Sequence, residues 1–133
     1  MNILIVEDNE ALRRLIRQIA CAPLHCCHEC PDAGQALAAY ARHRPDWVLL
    51  DSEMKAADGI VVAGQIHAAF PEAKILFITG YDDADLRQAA QAAGACGYVL
   101  KNNLLAIREL IGVPQAAASQ TDNQLEPQQE TLQ

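Results

Sequence analysis

The sequence lacks any run approaching about 18 uninterrupted apolar residues, which excludes a membrane-spanning helix. Its start, Met1-Asn2-Ile3-Leu4-Ile5-Val6-Glu7-Asp8, has no basic stretch and turns acidic at once, unlike a secretory leader. The expected location is therefore cytoplasmic, a reducing compartment in which the five cysteines should be mostly free thiols. Positive charge is also scarce: 10 Lys and Arg stand against 17 Asp and Glu, a net charge of −7. That balance argues against a broad phosphate-binding surface, so no direct nucleic-acid contact is expected, and no membrane contact.

What is present is apolar content of 51% in 133 residues, enough for one domain with one sizeable core. Ile3-Leu4-Ile5-Val6, Trp47-Val48-Leu49-Leu50, Ile75-Leu76-Phe77-Ile78 and Tyr98-Val99-Leu100 are short continuous apolar runs. Such runs read as strands buried on both faces. Helix-period segments lie between them. Leu12, Leu15, Ile16 and Ile19 share one face, with Arg13, Arg14, Arg17 and Gln18 on the other. Asp32 can cap a helix carrying Ala36, Leu37 and Tyr40 that stops before Pro45. Ile60, Ala63, Ile66 and Phe70 line a third, stopped by Pro71. Asp82 or Asp83 starts a fourth that ends at Gly94, and Leu104, Ile107, Leu110 and Ile111 mark a fifth. The polar, cysteine-rich segment His25 to Cys30 suits an edge strand. Strands alternating with helices predict a mostly parallel α/β sheet of flavodoxin-like size. The domain is expected over residues 1–112. Residues 113–133, rich in Gln and small residues with Asp122, Glu126 and Glu130 and no Lys or Arg, read as a flexible tail or truncated linker.

In such a sheet the binding crevice lies beyond the carboxyl ends of the strands. The residues that follow the apolar runs are Glu7 and Asp8, then Asp51, then Thr79, then Lys101. Clustered carboxylates need a cation, and oxygen-only ligands select Mg²⁺ or Mn²⁺. A carboxylate can attack phosphorus while the metal offsets charge on the phosphoryl oxygens, which a hydroxyl and an ammonium then hold. Singly, a carboxylate after a strand is more often a plain helix cap, Thr79 a turn residue and Lys101 a solvated end. Their joint placement carries the functional reading.

These residues resemble the receiver domain of bacterial two-component response regulators across roughly residues 1–112. Ile3-Leu4-Ile5-Val6-Glu7-Asp8-Asn9 is similar to the family's first strand and acidic pair, and Leu49-Leu50-Asp51-Ser52-Glu53-Met54, continuing to Asp58-Gly59, to its phosphoacceptor loop. Phe77-Ile78-Thr79-Gly80 resembles the switch-threonine segment, and Gly97-Tyr98-Val99-Leu100-Lys101 the aromatic-plus-lysine segment. The resemblance implies a flavodoxin-like three-layer sandwich, with a parallel sheet in the order 2-1-3-4-5 and five helices. It implies that Asp51 accepts a phosphoryl group from a phosphohistidine of a histidine kinase or phosphotransfer protein. Asp8 and Asp51 would bind Mg²⁺ directly, Glu7 through water and Glu53 through its backbone carbonyl. Lys101 would pair with Asp51 and then with the phosphoryl group, Thr79 would move toward it, and Tyr98 would swing from exposed to buried. The fourth helix, fifth strand and fifth helix would be the output face toward a downstream protein or effector domain, and a possible homodimer surface. Such a chain is not an enzyme beyond its own phosphorylation and dephosphorylation.

The chain departs from the family pattern at three places. Lys55 and Asn102 stand where proline is usual, and Glu7 replaces the commoner Asp. Gly80 and Tyr81 follow Thr79, and Glu53 lies two residues after Asp51, so these should rim the site. Glu53 and Tyr81 there should obstruct water and slow dephosphorylation. Two competing readings remain. One is a docking module independent of phosphorylation. The other is a thiol oxidoreductase or metal site at Cys27 and Cys30, opposed by their three-residue spacing, which puts them on opposite faces of a strand. His43 and His67 are expected on solvated helix faces. Leu125-Glu126-Pro127-Gln128-Gln129-Glu130 faintly resembles the entry to a helix-turn-helix effector, which sets a truncated DNA-binding regulator beside a stand-alone receiver as the alternative.

Overall fold

Ile3, Leu4, Ile5 and Val6 are all fully buried, as a strand sandwiched between two helical layers must be. The computed structural model describes residues 1–21, 25–54 and 58–112. Its strands are β1 (Asn2–Val6), β2 (Cys26–Cys30), β3 (Trp47–Asp51), β4 (Ile75–Thr79) and β5 (Ala95–Leu100). They pair in parallel in the order β2-β1-β3-β4-β5. The helices are α1 (Glu10–Ala20), α2 (Ala36–His43), α3 (Gly59–Ala69), α4 (Ala84–Ala92) and α5 (Ala106–Ile111). The expected architecture and strand order are both present.

Because side chains alternate along a strand, the sheet builds two cores. Leu4, Val6, Val48, Leu50, Ile75 and Phe77 meet Tyr40 of α2, Val62 and Ile66 of α3 and Ala90 of α4. Ile3, Ile5, Leu49, Leu76, Ile78 and Val99 meet Ile16 of α1 and Ile107 and Ile111 of α5. Each such large side chain contributes about 1.5–3 kcal/mol by leaving water. Leu15 and Leu110, expected on apolar faces, are instead 44% and 45% exposed. They lie at the margins of their helical stripes.

Local signals set most boundaries. The Asn9 side chain accepts from the Leu12 amide and caps α1. Asp83 caps α4 through the Asp85 amide, and Gly94, at φ 102°, lies just past its end. Asp32 caps a single 3₁₀ turn, Ala33–Gln35, before α2 begins at Ala36, one turn later than the sequence predicts. In β5 the pairing steps from Ile75–Ala95 to Leu76–Gly97, so Cys96 is an extra residue without a partner on β4. Among the described residues no peptide bond is cis, Lys101–Asn102 included. Lys55 and the 113–133 segment lie outside the described residues.

β2 is an edge strand, as its composition predicts. Cys27 packs on the α1 side and Cys30 on the α2 side, so the two cannot share a metal or form a redox pair. The expectation of free thiols holds for Cys26, Cys30 and Cys96 and fails for Cys21 and Cys27, which form a disulfide. The end of α1 and the start of β2 bring their Cα atoms to 6.4 Å. His43 is not simply solvated: its ring stacks on His28 with centroids 3.7 Å apart.

The start of α3 touches the end of β3. A Cβ on Gly59 would lie 2.3 Å from the Asp51 carbonyl oxygen and 2.7 Å from Ser52 Cα, both backbone atoms. Gly59→Ala is expected to destabilise the fold by about 1–3 kcal/mol, read as a lower urea midpoint with an unchanged slope.

Candidate functional site

Four of the five strands hand polar groups to the same edge. β1 ends at Val6 and is followed by Glu7 and Asp8, β3 ends on Asp51, β4 ends on Thr79, and Lys101 follows β5. Parallel registry aligns these ends, so residues far apart in the chain converge. Glu7 and Asp51 are 1% and 2% exposed, and Thr79 is fully buried. Ligand oxygens of Glu7, Asp8 and Asp51 all lie within 4.8 Å of one another. Lys101 Nζ stands 3.3 Å from Asp51 Oδ1 and 3.7 Å from Glu53 Oε1. Glu7, Asp8, Asp51, Glu53 and Lys101, with Asn9 and Leu12, line an open cleft of about 340 Å³, and buried Thr79 is not part of its lining.

Burial at this density moves the protons. Dehydration pushes the Glu7 carboxyl up to about 8, helped by a hydrogen bond to Asp51 and by its charge; the Asn9 amide and Lys101 pull the other way. Burial alone would lower the Lys101 ammonium, but the carboxylates of Asp51, Glu53 and Glu7 outweigh it and raise it. The Asn9 amide donates to Glu7 Oε2 at 3.0 Å, while buried Glu7 Oε1 meets no donor and can pair with a second carboxylate only when Glu7 keeps its proton. An oxygen-only donor set with an orphaned buried oxygen fits a hard divalent cation. Among the described residues no other group of three His, Cys, Asp or Glu side chains could hold a metal ion.

The remaining sequence-predicted residues divide. Glu53 lines the cleft, and its amide donates to Asp51 Oδ1 at 3.0 Å. A Cβ on Gly80 would sit 3.9 Å from the Glu53 carboxylate and 4.0 Å from Lys101 Cδ, which puts Gly80 at the rim. Tyr81 does not line the cleft: its side chain is 62% exposed, because its backbone is what faces inward. The Tyr81 amide donates to Thr79 Oγ1 at 3.2 Å, and its carbonyl accepts from the Tyr98 hydroxyl. Tyr98 is half-buried, with the Arg87 guanidinium 4.9 Å from its ring centroid.

Helical periodicity placed Arg13 on the solvent face, yet its side chain is only 14% exposed. Arg13 Nη1 donates to the Glu7 carbonyl at 2.9 Å, and its Nε pairs with Glu29 at 2.9 Å. The long side chain reaches back over the end of β1, which a helical wheel does not register. Asn9 enters the sequence analysis only as the end of the first motif; its side chain caps α1 and its amide holds the Glu7 carboxylate. Gly59 enters the sequence analysis only as the end of the phosphoacceptor loop; the Asp58 side chain accepts from the Ile60 amide and caps α3, which sets Gly59 at the first position of that helix.

The family model for the response regulator receiver domain matches residues 3–111. Oxygen regulatory protein NreC of Staphylococcus haemolyticus is 32% identical over 116 residues, covering 81% of this chain and 54% of that protein. Chemotaxis protein CheY of Halobacterium salinarum is 30% identical, covering 74% of this chain and 82% of that one. Among solved structures, a LuxR-family two-component response regulator from Aurantimonas superposes with a TM-score of 0.74 at 30% identity, covering 84% of each chain. A CheY-like receiver domain protein from Methanospirillum hungatei gives 0.72 at 25% identity, covering 84% of this chain and 93% of that one. The chain spans about half the length of NreC. With the acidic cleft at the carboxyl edge of a 2-1-3-4-5 sheet and a family match from Ile3 to Ile111, the chain belongs to the response regulator receiver domains of two-component systems.

Proposed function

We propose that Asp51 is the phosphoacceptor, taking a phosphoryl group from a phosphohistidine on a histidine kinase or phosphotransfer protein in a Mg²⁺-dependent reaction. One observation carries this reading: Glu7, Asp8 and Asp51 present oxygens within 4.8 Å of one another, with Lys101 Nζ 3.3 Å from Asp51. Glu7, Asp8 and Asp51 would hold the ion, which when bound offsets negative charge on the phosphoryl oxygens. An Asp51 carboxylate oxygen attacks phosphorus, a P–O bond forms, and the P–N bond to the donor imidazole breaks. Lys101 then pairs with a phosphoryl oxygen, and the Thr79 hydroxyl donates to another. The chain acts on no separate substrate; its chemistry is its own phosphorylation and dephosphorylation. The output goes to a downstream protein or effector domain.

Acetyl phosphate or beryllofluoride with Mg²⁺ is expected to modify the wild type and not Asp51→Asn, as read by intact mass or fluorine resonance. Modification retained in the mutant moves the acceptor elsewhere. Because Glu7 holds its proton to about pH 8, Mg²⁺ binding should release close to one proton at pH 7. The apparent affinity should then climb by up to about tenfold per pH unit approaching pH 8 and level off above it. Calorimetry in two buffers of different ionisation enthalpy measures the release directly. Glu53 lines the cleft beside Asp51, which supports its obstructing hydrolytic water, so Glu53→Ala is expected to shorten the phosphorylated lifetime. An unchanged decay rate refutes that role.

A further inference from the structure

Cys21 and Cys27 lie outside the acidic cleft, and nothing in the phosphoryl chemistry uses them. Cys21 ends α1, its amide donating to the Arg17 carbonyl at 3.0 Å. Cys27 is the second residue of the edge strand β2 and sits on the face toward α1. The disulfide spans a sequence separation of 6 and so closes the connection between helix and strand. Two residues further on, and therefore on the same strand face, Glu29 pairs with Arg13 at 2.9 Å and with Arg17 at 2.8 Å. One side of the edge strand is thus fastened to α1 twice, by a covalent bond and by an ionic clamp. Both half-cystines are half-buried, within reach of a small solute. Cys30 contrasts with them: it is buried on the opposite face, donates to the Asp32 carbonyl, and its thiol is pushed up by dehydration, the profile of an inert structural cysteine.

We propose that Cys21 and Cys27 form a reversible thiol–disulfide site, exchanging with low-molecular-weight thiols, that sets how firmly β2 is held to α1. In the reducing direction an external thiolate attacks one sulfur, the intramolecular S–S bond breaks, and a mixed disulfide forms. A second external thiolate then releases the protein sulfur. Cys21 and Cys27 each take up a proton, and the two small thiols leave as their own disulfide. Oxidation is the reverse, with the small disulfide as electron acceptor. The helix so fastened follows directly on Glu7 and Asp8 and carries Arg13, so the bond adjusts the unit that frames the acidic cleft without touching Asp51.

The test equilibrates the full chain in glutathione buffers of graded redox ratio, followed by acid quench, alkylation under denaturing conditions and peptide mapping. Cys21 and Cys27 are expected to be protected together as one linked peptide in oxidised glutathione and alkylated together in reduced glutathione. Buried Cys30 should remain alkylatable throughout, and exposed Cys26 and Cys96 should at most carry glutathione and join no protein–protein link. The oxidised form should unfold at a midpoint higher by roughly 5 °C, because the link restricts the unfolded chain. That difference should vanish in both Cys21→Ala and Cys27→Ala. Independent alkylation of the two cysteines at every ratio would overturn the proposal. So would a link joining a different pair, a link that survives the most reducing buffer, or equal midpoints in the two buffers.

Discussion

Everything at the carboxyl edge of this sheet answers to one constraint: three carboxylates, two of them buried and Asp8 half-buried, are crowded into one cleft. Two unit charges 4.8 Å apart repel by about 3–4 kcal/mol at an effective dielectric of about 20. On the same scale the Lys101 ammonium, 3.3 Å from Asp51, returns about 5 kcal/mol, one such attraction against the mutual repulsion of three carboxylates. Lys101, with its side chain 29% exposed, cannot balance the cluster alone. The fold has two ways out, a proton on Glu7 or a cation among the oxygens. The raised Glu7 carboxyl and its orphaned oxygen are the two sides of that choice.

The scaffold exists to make such crowding hold its shape. Parallel strands end in register, so the groups after β1, β3, β4 and β5 meet without any being adjacent in sequence. Two separate cores clamp the sheet from both sides, which leaves the strands no freedom to splay under repulsion. Backbone contacts then fix the acids individually. Arg13 holds the Glu7 carbonyl, Asn9 holds its carboxylate, the Glu53 amide holds Asp51, and Gly59 leaves α3 space to press against the Asp51 carbonyl.

The strands and the polar groups that follow them were legible because the runs are continuous and the acids abrupt. The edge character of β2 was legible from its polarity, and the opposite facing of Cys27 and Cys30 from simple alternation. What escaped depends on distances between elements. Periodicity assigns a face to a Cα, so it missed how far the Arg13 side chain folds back. The Cys21–Cys27 bond requires knowing that the end of α1 lies beside the start of β2. The same applies to His28 on His43, and to Tyr81, whose backbone rather than its ring faces the site.

That backbone joins the site to the surface. The Tyr81 amide is bonded to the Thr79 hydroxyl and its carbonyl to the Tyr98 hydroxyl, so one peptide segment spans the two positions expected to switch. Turning Thr79 toward the cleft forfeits a neutral hydrogen bond worth about 0.5–1.5 kcal/mol net. A bond to a charged phosphoryl oxygen returns about 1.5–3 kcal/mol. Under the proposed chemistry the resting arrangement therefore wins without a phosphoryl group and loses with one. Release of the Tyr81 amide loosens the segment that anchors Tyr98, a β5 residue whose ring lies under the Arg87 guanidinium. A difference of one or two kcal/mol is small beside the buried cores, and it is the scale on which a local charge can reset a surface without unfolding the sheet beneath it.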